Sequence, residues 1–439
     1  MKTNKALRRA LLILLFLILL SAFISIILYD FYQGRSYQNE ILVEQANEEN
    51  GTPANHVAEK NEESVEHANY SEAREQENRQ ETIILSNLTV SGLRFAGCSP
   101  ESITLSWPNE IDSLVREYVL LRKELSRNDA QWQTVARIPS GGAIEDSDYQ
   151  YTDVLSSTDP VQYCYCIEVK PIETERYEPT PGNQVIASNV CICIDPGHYQ
   201  NSSPLRGSNL YGYNEGTFML QVGLKLRELL MENYGIDCRM TRDSDHITLY
   251  GYSDAELDQK HLSLRGEYSE GCRLFLSLHT NANQDNVNGY DTCNQPIGIT
   301  KTVIIVNRVA SQSELNLLQA NAIGRNLSLC NAEMGFASVS SFNEVNKSNL
   351  LEWTDAFNDS LNTPGTVCVR WKDNGDDYYG VLRGAASVGV PGIIIEHGHH
   401  TVAEMRREAT QGKLADAWAE ADAAGIAEGY HFVGFFRKQ

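Results

Sequence analysis

Four residues in the second half of the chain have the types and positions needed to activate water: His198, Glu215, His279 and Glu396. His198 closes the turn Asp195-Pro196-Gly197-His198, which follows the apolar run Val190–Ile194. Glu215 opens a helical stretch, and His279 ends the apolar run Leu274-Phe275-Leu276-Ser277-Leu278. Two imidazoles and one carboxylate form a donor set for catalytic zinc, with the fourth position left for water. Taken singly, each has an ordinary explanation. A carboxylate at a helix start is favoured by the helix dipole, and a histidine at a strand end is commonly structural. Three such positions at consecutive element ends are harder to explain away. Glu396 follows Gly392-Ile393-Ile394-Ile395, and a charge there is costly to bury unless it is paired or functional. One carboxylate beside a metal can serve as base to the water and then as acid to a leaving amine.

The elements that must position these residues follow from periodicity. Phe218, Val222, Leu226, Leu229 and Leu230 form an apolar stripe that predicts a helix over Glu215–Tyr234. Asp237–Thr241, Leu274–His279, Val303–Val306, Val367–Val369 and Gly392–Ile395 read as strands. His261–Tyr268, Glu314–Met334 and Leu414–Gly429 read as helices. Strands alternating with helices predict an α/β fold with a mostly parallel sheet flanked by helices over residues 190–436. In such sheets sites gather at the carboxyl ends of strands. Asp195, His198, His279 and Glu396 all fall there. Residues 283–300 and 337–365 are polar and irregular, and are expected to form substrate-facing loops.

The first half has a different character. Lys2, Lys5, Arg8 and Arg9 precede a run free of charge from Ala10 to Tyr29. About 20 helical residues span the hydrocarbon core of a bilayer. The run is longer than the core of a cleaved signal, so residues 10–29 are expected to be a transmembrane signal-anchor. The positive-inside rule then puts residues 1–9 in the cytoplasm and the rest outside the cell membrane. Residues 30–82 read as an acidic, disordered linker. Between positions 40 and 82 there are twelve Glu against three Lys or Arg, with no Phe or Trp, too little apolar surface to offset chain entropy. The net charge of -22 excludes a nucleic-acid partner, which requires a basic footprint. Residues 83–189 carry short alternating strands: Ser102–Trp107, Glu117–Arg122, Trp132–Ala136, Tyr149–Val154 and Gln162–Lys170. These predict an all-β, immunoglobulin-like sandwich, with Trp107 and Trp132 in its core. The early strand Trp, the later Trp-x-x-Val and the run Tyr163-x-Tyr165-x-Ile167-x-Val169 resemble a fibronectin type III domain. Of ten cysteines, Cys164/Cys166 and Cys191/Cys193 are pairs two apart in strands. They are expected to be buried free thiols packed as small hydrophobes.

The ordered set Asp195-Pro196-Gly197-His198, Asn214-Glu215-Gly216, Thr241-Arg242, Leu264-Arg265, Ser277–Ala282 and Val390–Glu396 resembles the zinc-dependent N-acetylmuramoyl-L-alanine amidases of bacterial cell-wall turnover. The resemblance covers residues 190–436. It implies one zinc ion held by His198, Glu215 and His279, with Glu396 as the catalytic glutamate. It also implies peptidoglycan as substrate, cleaved at the amide between N-acetylmuramic acid and L-alanine. The chain departs from the family pattern at His397, Gly398, His399, His400 and Thr401, where the family has a more apolar stretch. The three histidines are expected at the surface or in a substrate groove; the functional alternative is support of the transition state or a second metal. Two other readings of the chain stay open at this point. One is a catalytically silent wall-binding or regulatory protein, and the other a zinc hydrolase acting on a different amide.

Overall fold

A computed structural model describes residues 86–142, 147–199, 212–282, 299–336, 338–358 and 362–434. The expected tail, anchor and linker at residues 1–82 lie outside the described residues, as do most of the expected loop at 283–300 and the stretch 200–211. Among the described residues no helix is long and apolar enough to cross a membrane. The chain divides into two units, Met1–Thr82 and Ile83–Gln439, and only the second is described below.

Its first part has nine strands: β1 (Ser86–Leu88), β2 (Arg94–Ser99), β3 (Ser102–Trp107), β4 (Val115–Glu124), β5 (Gln133–Pro139), β6 (Tyr149–Val154), β7 (Gln162–Pro171), β8 (Tyr177–Pro179) and β9 (Val185–Ser188). They form antiparallel sheets in the orders β2-β3-β6 and β5-β4-β7-β9, with β1 and β8 paired beside them. The inward positions of both sheets, Ile103, Leu105, Trp107, Tyr118, Leu120, Tyr165 and Ile167, share one core. Trp107 stacks on Tyr149 with ring centroids 5.3 Å apart. The expected core role of Trp132 does not hold, because its side chain is 40% exposed. It precedes β5, the outer strand of its sheet, where one flank has no neighbour to cover it.

The second part is an eight-stranded sheet built from β10 (Cys191–Pro196), β11 (Asp237–Met240), β12 (Leu274–Asn281), β13 (Val303–Val306), β14 (Phe342–Asn343), β15 (Leu351–Glu352), β16 (Gly365–Val369) and β17 (Gly392–His399). The order is β11-β10-β12-β17-β13-β16-β14, and β15 also pairs with β16. Neighbours are parallel except β13 and β17, which run antiparallel. The helices are α1 (Glu215–Tyr234), α2 (Asp254–Gln259), α3 (Ser263–Glu267), α4 (Arg308–Ser311), α5 (Glu314–Glu333), α6 (Trp353–Asn358), α7 (Gly380–Ser387), α8 (Ala403–Thr410) and α9 (Lys413–Gly429). Short elements β14, β15 and α6 thus occupy part of the segment 337–365 that reads as irregular in sequence. Strand alternation sends Ile192, Ile194, Leu276, Leu278, Ile393 and Ile395 to one face, packed on α1, α5 and α9. Cys193, Phe275, Val303, Ile305, Cys368 and Ile394 go to the other, under Val381, Leu382 and Ala385 of α7. The same alternation places Asp195, Ser277, His279 and Glu396 on this second face.

No linker separates the two parts, since β9 runs into β10 through Asn189 and Val190 alone. Asn189 is fully buried. Its amide donates to the carbonyls of Pro100 at 2.8 Å and Asp159 at 2.9 Å, and its side-chain oxygen accepts from the Val161 N–H at 2.9 Å. Buried Gln162 donates to the Tyr234 carbonyl at 2.9 Å and accepts from the Val433 N–H at 2.9 Å. Gly235 ends α1 with φ of +61°. A Cβ there would sit 2.5 Å from the Ile186 carbonyl oxygen, so only glycine lets the helix end meet β9. At the expected boundary, 189/190, the two parts therefore meet in a buried, hydrogen-bonded seam. Replacing Asn189 with Ala strands at least two buried backbone groups. It should lower the stability of the whole unit by roughly 2–4 kcal/mol, read from urea unfolding; an unchanged midpoint would show that the seam contributes nothing.

Candidate active site

Three short segments bring the site together. The β10 strand ends in the Pro196-Gly197 turn, which turns His198 back at φ +57°, a left-handed conformation that is strained for a residue with a Cβ. A Cβ on Gly197 would lie 2.4 Å from His279 Cε1, so the glycine is what allows the His279 ring to lie against the turn. The Gly197 N–H donates to the Leu278 carbonyl at 2.9 Å, tying the turn to β12. Asn214 caps α1 by accepting from the Thr217 N–H at 2.9 Å, and this fixes Glu215 at the first helical position.

The result is a compact donor cluster. One ligand atom from each of His198, Glu215 and His279 lies within 4.8 Å of the others. Glu215 Oε1 is 3.2 Å from His279 Nδ1 and 3.7 Å from His198 Nε2, and it accepts the Thr280 N–H at 2.8 Å. The two imidazoles meet edge to face with centroids 4.9 Å apart. Burial alone would raise the Glu215 carboxyl; the two histidines instead hold it at about 2. Two nitrogens from partly exposed imidazoles and one buried, ionised oxygen converge and fit a zinc ion with an open fourth position.

Glu396 stands directly across from His279 in the parallel pairing of β12 and β17. Its Oε2 is buried and accepts no hydrogen bond from the described residues. Burial and the nearby Glu215 push its carboxyl up to about 7, against the opposing pull of His279 and His400. A carboxyl with one oxygen unpartnered among the described residues, poised near neutrality, is suited to accept and return a proton.

The buried support beneath the cluster has no assigned role in the sequence reading. Asp195 is fully buried and in register with Ser277. It accepts from Thr241 Oγ1 at 2.7 Å, Ser277 Oγ at 2.7 Å and Arg265 Nε at 2.9 Å. Arg265 also donates to the Pro196 carbonyl at 3.1 Å. Arg242 donates to the carbonyls of Pro196, Gly197 and Gly216 at 3.1, 3.3 and 2.6 Å, so one guanidinium clamps the His198 turn to the first turn of α1. The motif pairs Thr241-Arg242 and Leu264-Arg265 are the signal that pointed here.

The three histidines after Glu396 are not surface residues, contrary to expectation. His397, His399 and His400 are each at most 2% exposed, because β17 is a central strand that stays covered to its end. His397 donates from Nδ1 to the His279 carbonyl at 3.0 Å, and its Nε2 meets Asp422 Oδ2 at 2.9 Å. Burial alone would lower its pKa, but Asp422 raises it. His400 Nδ1 lies 3.1 Å from Thr280 Oγ1, which Tyr213 also contacts at 3.0 Å. Burial holds His399 neutral, down at about 3.

With this geometry in view, comparison with known proteins is decisive for the catalytic part. The N-acetylmuramoyl-L-alanine amidase family matches residues 192–428, more than half of the chain. The chain belongs to the N-acetylmuramoyl-L-alanine amidase family. Among solved structures the amidase is similar to N-acetylmuramoyl-L-alanine amidase AmiC2 of Nostoc punctiforme, at 21% identity and a TM-score of 0.35, covering 55% of this chain and 97% of that one. It is similar to the catalytic domain of CwlV from Bacillus (Paenibacillus) polymyxa, at 18% identity and a TM-score of 0.35, covering 54% and 97%. It is also similar to Ami1 from Mycobacterium smegmatis, at 14% identity and a TM-score of 0.36, covering 55% and 97%. A search of curated proteins found no match.

The support predicts a pH signature for the amidase. Burial would raise the Asp195 carboxyl, but Arg265 and the hydroxyls of Thr241 and Ser277 bring it below its ordinary value. A carboxyl depressed by folding adds stability that is complete above the unfolded value of about 3.9 and is lost as pH falls through the lower folded value. Asp195→Asn should cost about 3–5 kcal/mol at neutral pH by leaving the buried Arg265 with only its longer contact to Asp258, at 3.5 Å. It should also flatten the acid limb of stability against pH. Urea unfolding across that range checks both, and an unchanged acid limb would remove Asp195 as its source.

Proposed function

We propose that the amidase binds one zinc ion through His198, Glu215 and His279 and hydrolyses the amide between the lactyl group of N-acetylmuramic acid and L-alanine of the peptidoglycan stem peptide. The observation that carries this reading is the convergence of two imidazoles and one buried carboxylate beside the unpartnered oxygen of Glu396. Zinc held there supplies Lewis-acid polarisation of the scissile carbonyl and of a water molecule. Glu396 takes a proton from the attacking water and then delivers it to the departing amine nitrogen. Glu215, fixed by the Thr280 N–H, stays ionised throughout. His397 holds the His279 carbonyl, and so the backbone on which His279 sits. Arg242 keeps the His198 turn and the Glu215 helix start at a fixed separation, so the site needs little rearrangement to bind its metal.

The placement of the enzyme completes the proposal. Residues 10–29 anchor the chain in the cell membrane with residues 1–9 in the cytoplasm, and residues 30–82 act as an acidic spacer towards the wall. Residues 83–189 form a fibronectin type III-like module, and residues 190–436 the catalytic domain. What supports this is the basic flank before the apolar run, the run's length and the charge of the segment after it.

Glu396→Gln should lower kcat on purified peptidoglycan by roughly 10²–10⁴-fold while zinc content stays at one per chain. His279→Ala should lose the zinc. Activity retained in the first variant, or zinc retained in the second, would sink the corresponding assignment. Mass spectrometry of the digest should find new L-alanine amino termini; new reducing ends would mean a glycosidase instead. Protease added to intact cells should remove the catalytic domain, and its protection would refute the outward placement.

A further inference from the structure

The strand that leads into His198 and the strand that carries His279 also begin beside each other, with a cysteine at or just before each start. Cys191 is the first residue of β10. Cys272 lies two residues before β12, in a turn closed by its own N–H donating to the Ser269 carbonyl at 2.8 Å. The next residue, Arg273, donates its backbone N–H to the Cys191 carbonyl at 2.8 Å, which holds the two backbones side by side. The Arg239 guanidinium fixes the same turn by donating to the carbonyls of Tyr268 and Glu270 at 2.9 and 2.8 Å. The two sulfurs are 3.5 Å apart, and Cys272 is 8% exposed. Packing as small hydrophobes accounts for Cys164, Cys166 and Cys193, which are buried, but does not require two sulfurs to meet.

We propose that Cys191 and Cys272 form a disulfide that staples the starts of the two strands whose far ends carry zinc-ligand candidates. The reaction breaks two S–H bonds and forms one S–S bond. Two electrons and two protons pass to an oxidised dithiol of the exchange type, which leaves as two thiols. The formation of the bond in the cell rests on the proposed placement outside the membrane, where such oxidants act. The loop it closes spans 81 residues, a length at which restriction of the unfolded chain is substantial. Both sulfurs also adjoin the seam, because the Arg273 side chain donates to the carbonyls of Asn189 at 3.0 Å and Pro100 at 3.4 Å. The bond would therefore tie together the catalytic sheet at the point where the sandwich meets it. Hydrogen bonding to Cys272, with burial, keeps the Cys191 thiol well above its ordinary pKa. Oxidation is accordingly slow once the chain has folded and is measured at equilibrium.

The test uses the full chain. Purified protein is equilibrated with oxidised glutathione, its remaining thiols are blocked, and its peptides are sequenced by tandem mass spectrometry without reduction. A Cys191–Cys272 link is expected. Its absence, or a link from Cys191 to Cys98 across the seam instead, overturns the pairing. Reduction should lower the Tm of the linked protein by several degrees and leave a Cys191→Ala/Cys272→Ala variant unmoved; equal shifts in both would also overturn it. In cells lysed into alkylating reagent, the same link is expected. Both cysteines alkylated there, in a protein that links when purified, overturns formation in the cell and the outward placement together, and leaves the amidase reading untouched.

Discussion

The catalytic part depends on one buried charge pair. Asp195 and Arg265 meet at 2.8 Å with almost no exposure on either side chain, an arrangement that is stable only when the remaining hydrogen-bonding capacity is also used. Here it is used on the segments that matter. Asp195 draws in Thr241 from the end of β11 and Ser277 from β12, while Arg265 reaches the Pro196 carbonyl from α3. The carboxylate thus joins the ends of three neighbouring strands beneath the His198 turn. Arg242 extends the same logic to α1. Two like-charged guanidiniums close together repel, and burial with the neighbouring Arg265 lowers Arg242 to about 10. It remains charged at neutral pH and is held there by four carbonyl oxygens, those of Pro196, Gly197, Gly216 and Ser244. Candidate metal donors held on strained or tightly turned backbone need such support, because nothing in the turn itself selects the left-handed conformation of His198.

Much of this was legible in the sequence, for identifiable reasons. The helix Glu215–Tyr234 follows from an apolar stripe at helical period bracketed by Asn214 and Gly235, two strong end signals. The strands carrying the site are buried apolar runs that stop at chemistry-bearing residues. His198, Glu215, His279 and Glu396 could be named because polar groups at the ends of such runs stand out. The roles of Arg242 and Arg265 could not be read in the same way. The partners that place them at the site are carbonyls and a carboxylate brought in from 26 to 70 positions away, and nothing local distinguishes a clamping arginine from a solvated one. Trp132 was misplaced for the complementary reason. Alternation identifies a strand, but it does not say that the strand is the outermost of its sheet.

The histidines at 397, 399 and 400 illustrate how sheet topology decides burial. Polar residues after a catalytic glutamate suggest a loop leaving the sheet, yet β17 continues to His399 between two neighbours. On one side β12 runs parallel and supplies the His279 carbonyl. On the other, β13 runs antiparallel, so its incoming end, Thr300-Lys301-Thr302, arrives beside the outgoing end of β17. All three of these residues are buried. Thr300 accepts the His399 N–H at 2.7 Å, and Thr302 donates to the His397 carbonyl at 3.0 Å. Lys301 donates to the Ala356 carbonyl at 2.9 Å. A parallel neighbour would have needed to extend past the site to make these contacts. The antiparallel pairing of β13 with β17 is therefore what supplies hydrogen-bond partners to a polar strand end inside the protein.

The connectivity also bears on where the substrate can approach. In open α/β sheets a crevice forms where strand connectivity switches sides, outside the carboxyl ends of the strands. Here β10 leads to β11 on one side and β12 leads towards β13 on the other, so the switch lies between β10 and β12, and Glu396 sits on the adjoining β17, level with Val303 of β13 and His279 of β12. The donor cluster lies on the β10–β12 side of Glu396, and the polar end of β13 lies on the other. A general base needs access to the water on one side and to the leaving group on the other. A glutamate at the reversal point has a filled, hydrogen-bonded floor beneath it and neighbours of opposite strand direction on its two flanks. The unpartnered oxygen of Glu396 follows from that position: the sheet satisfies its backbone, and the side chain is left for the proton transfer proposed above.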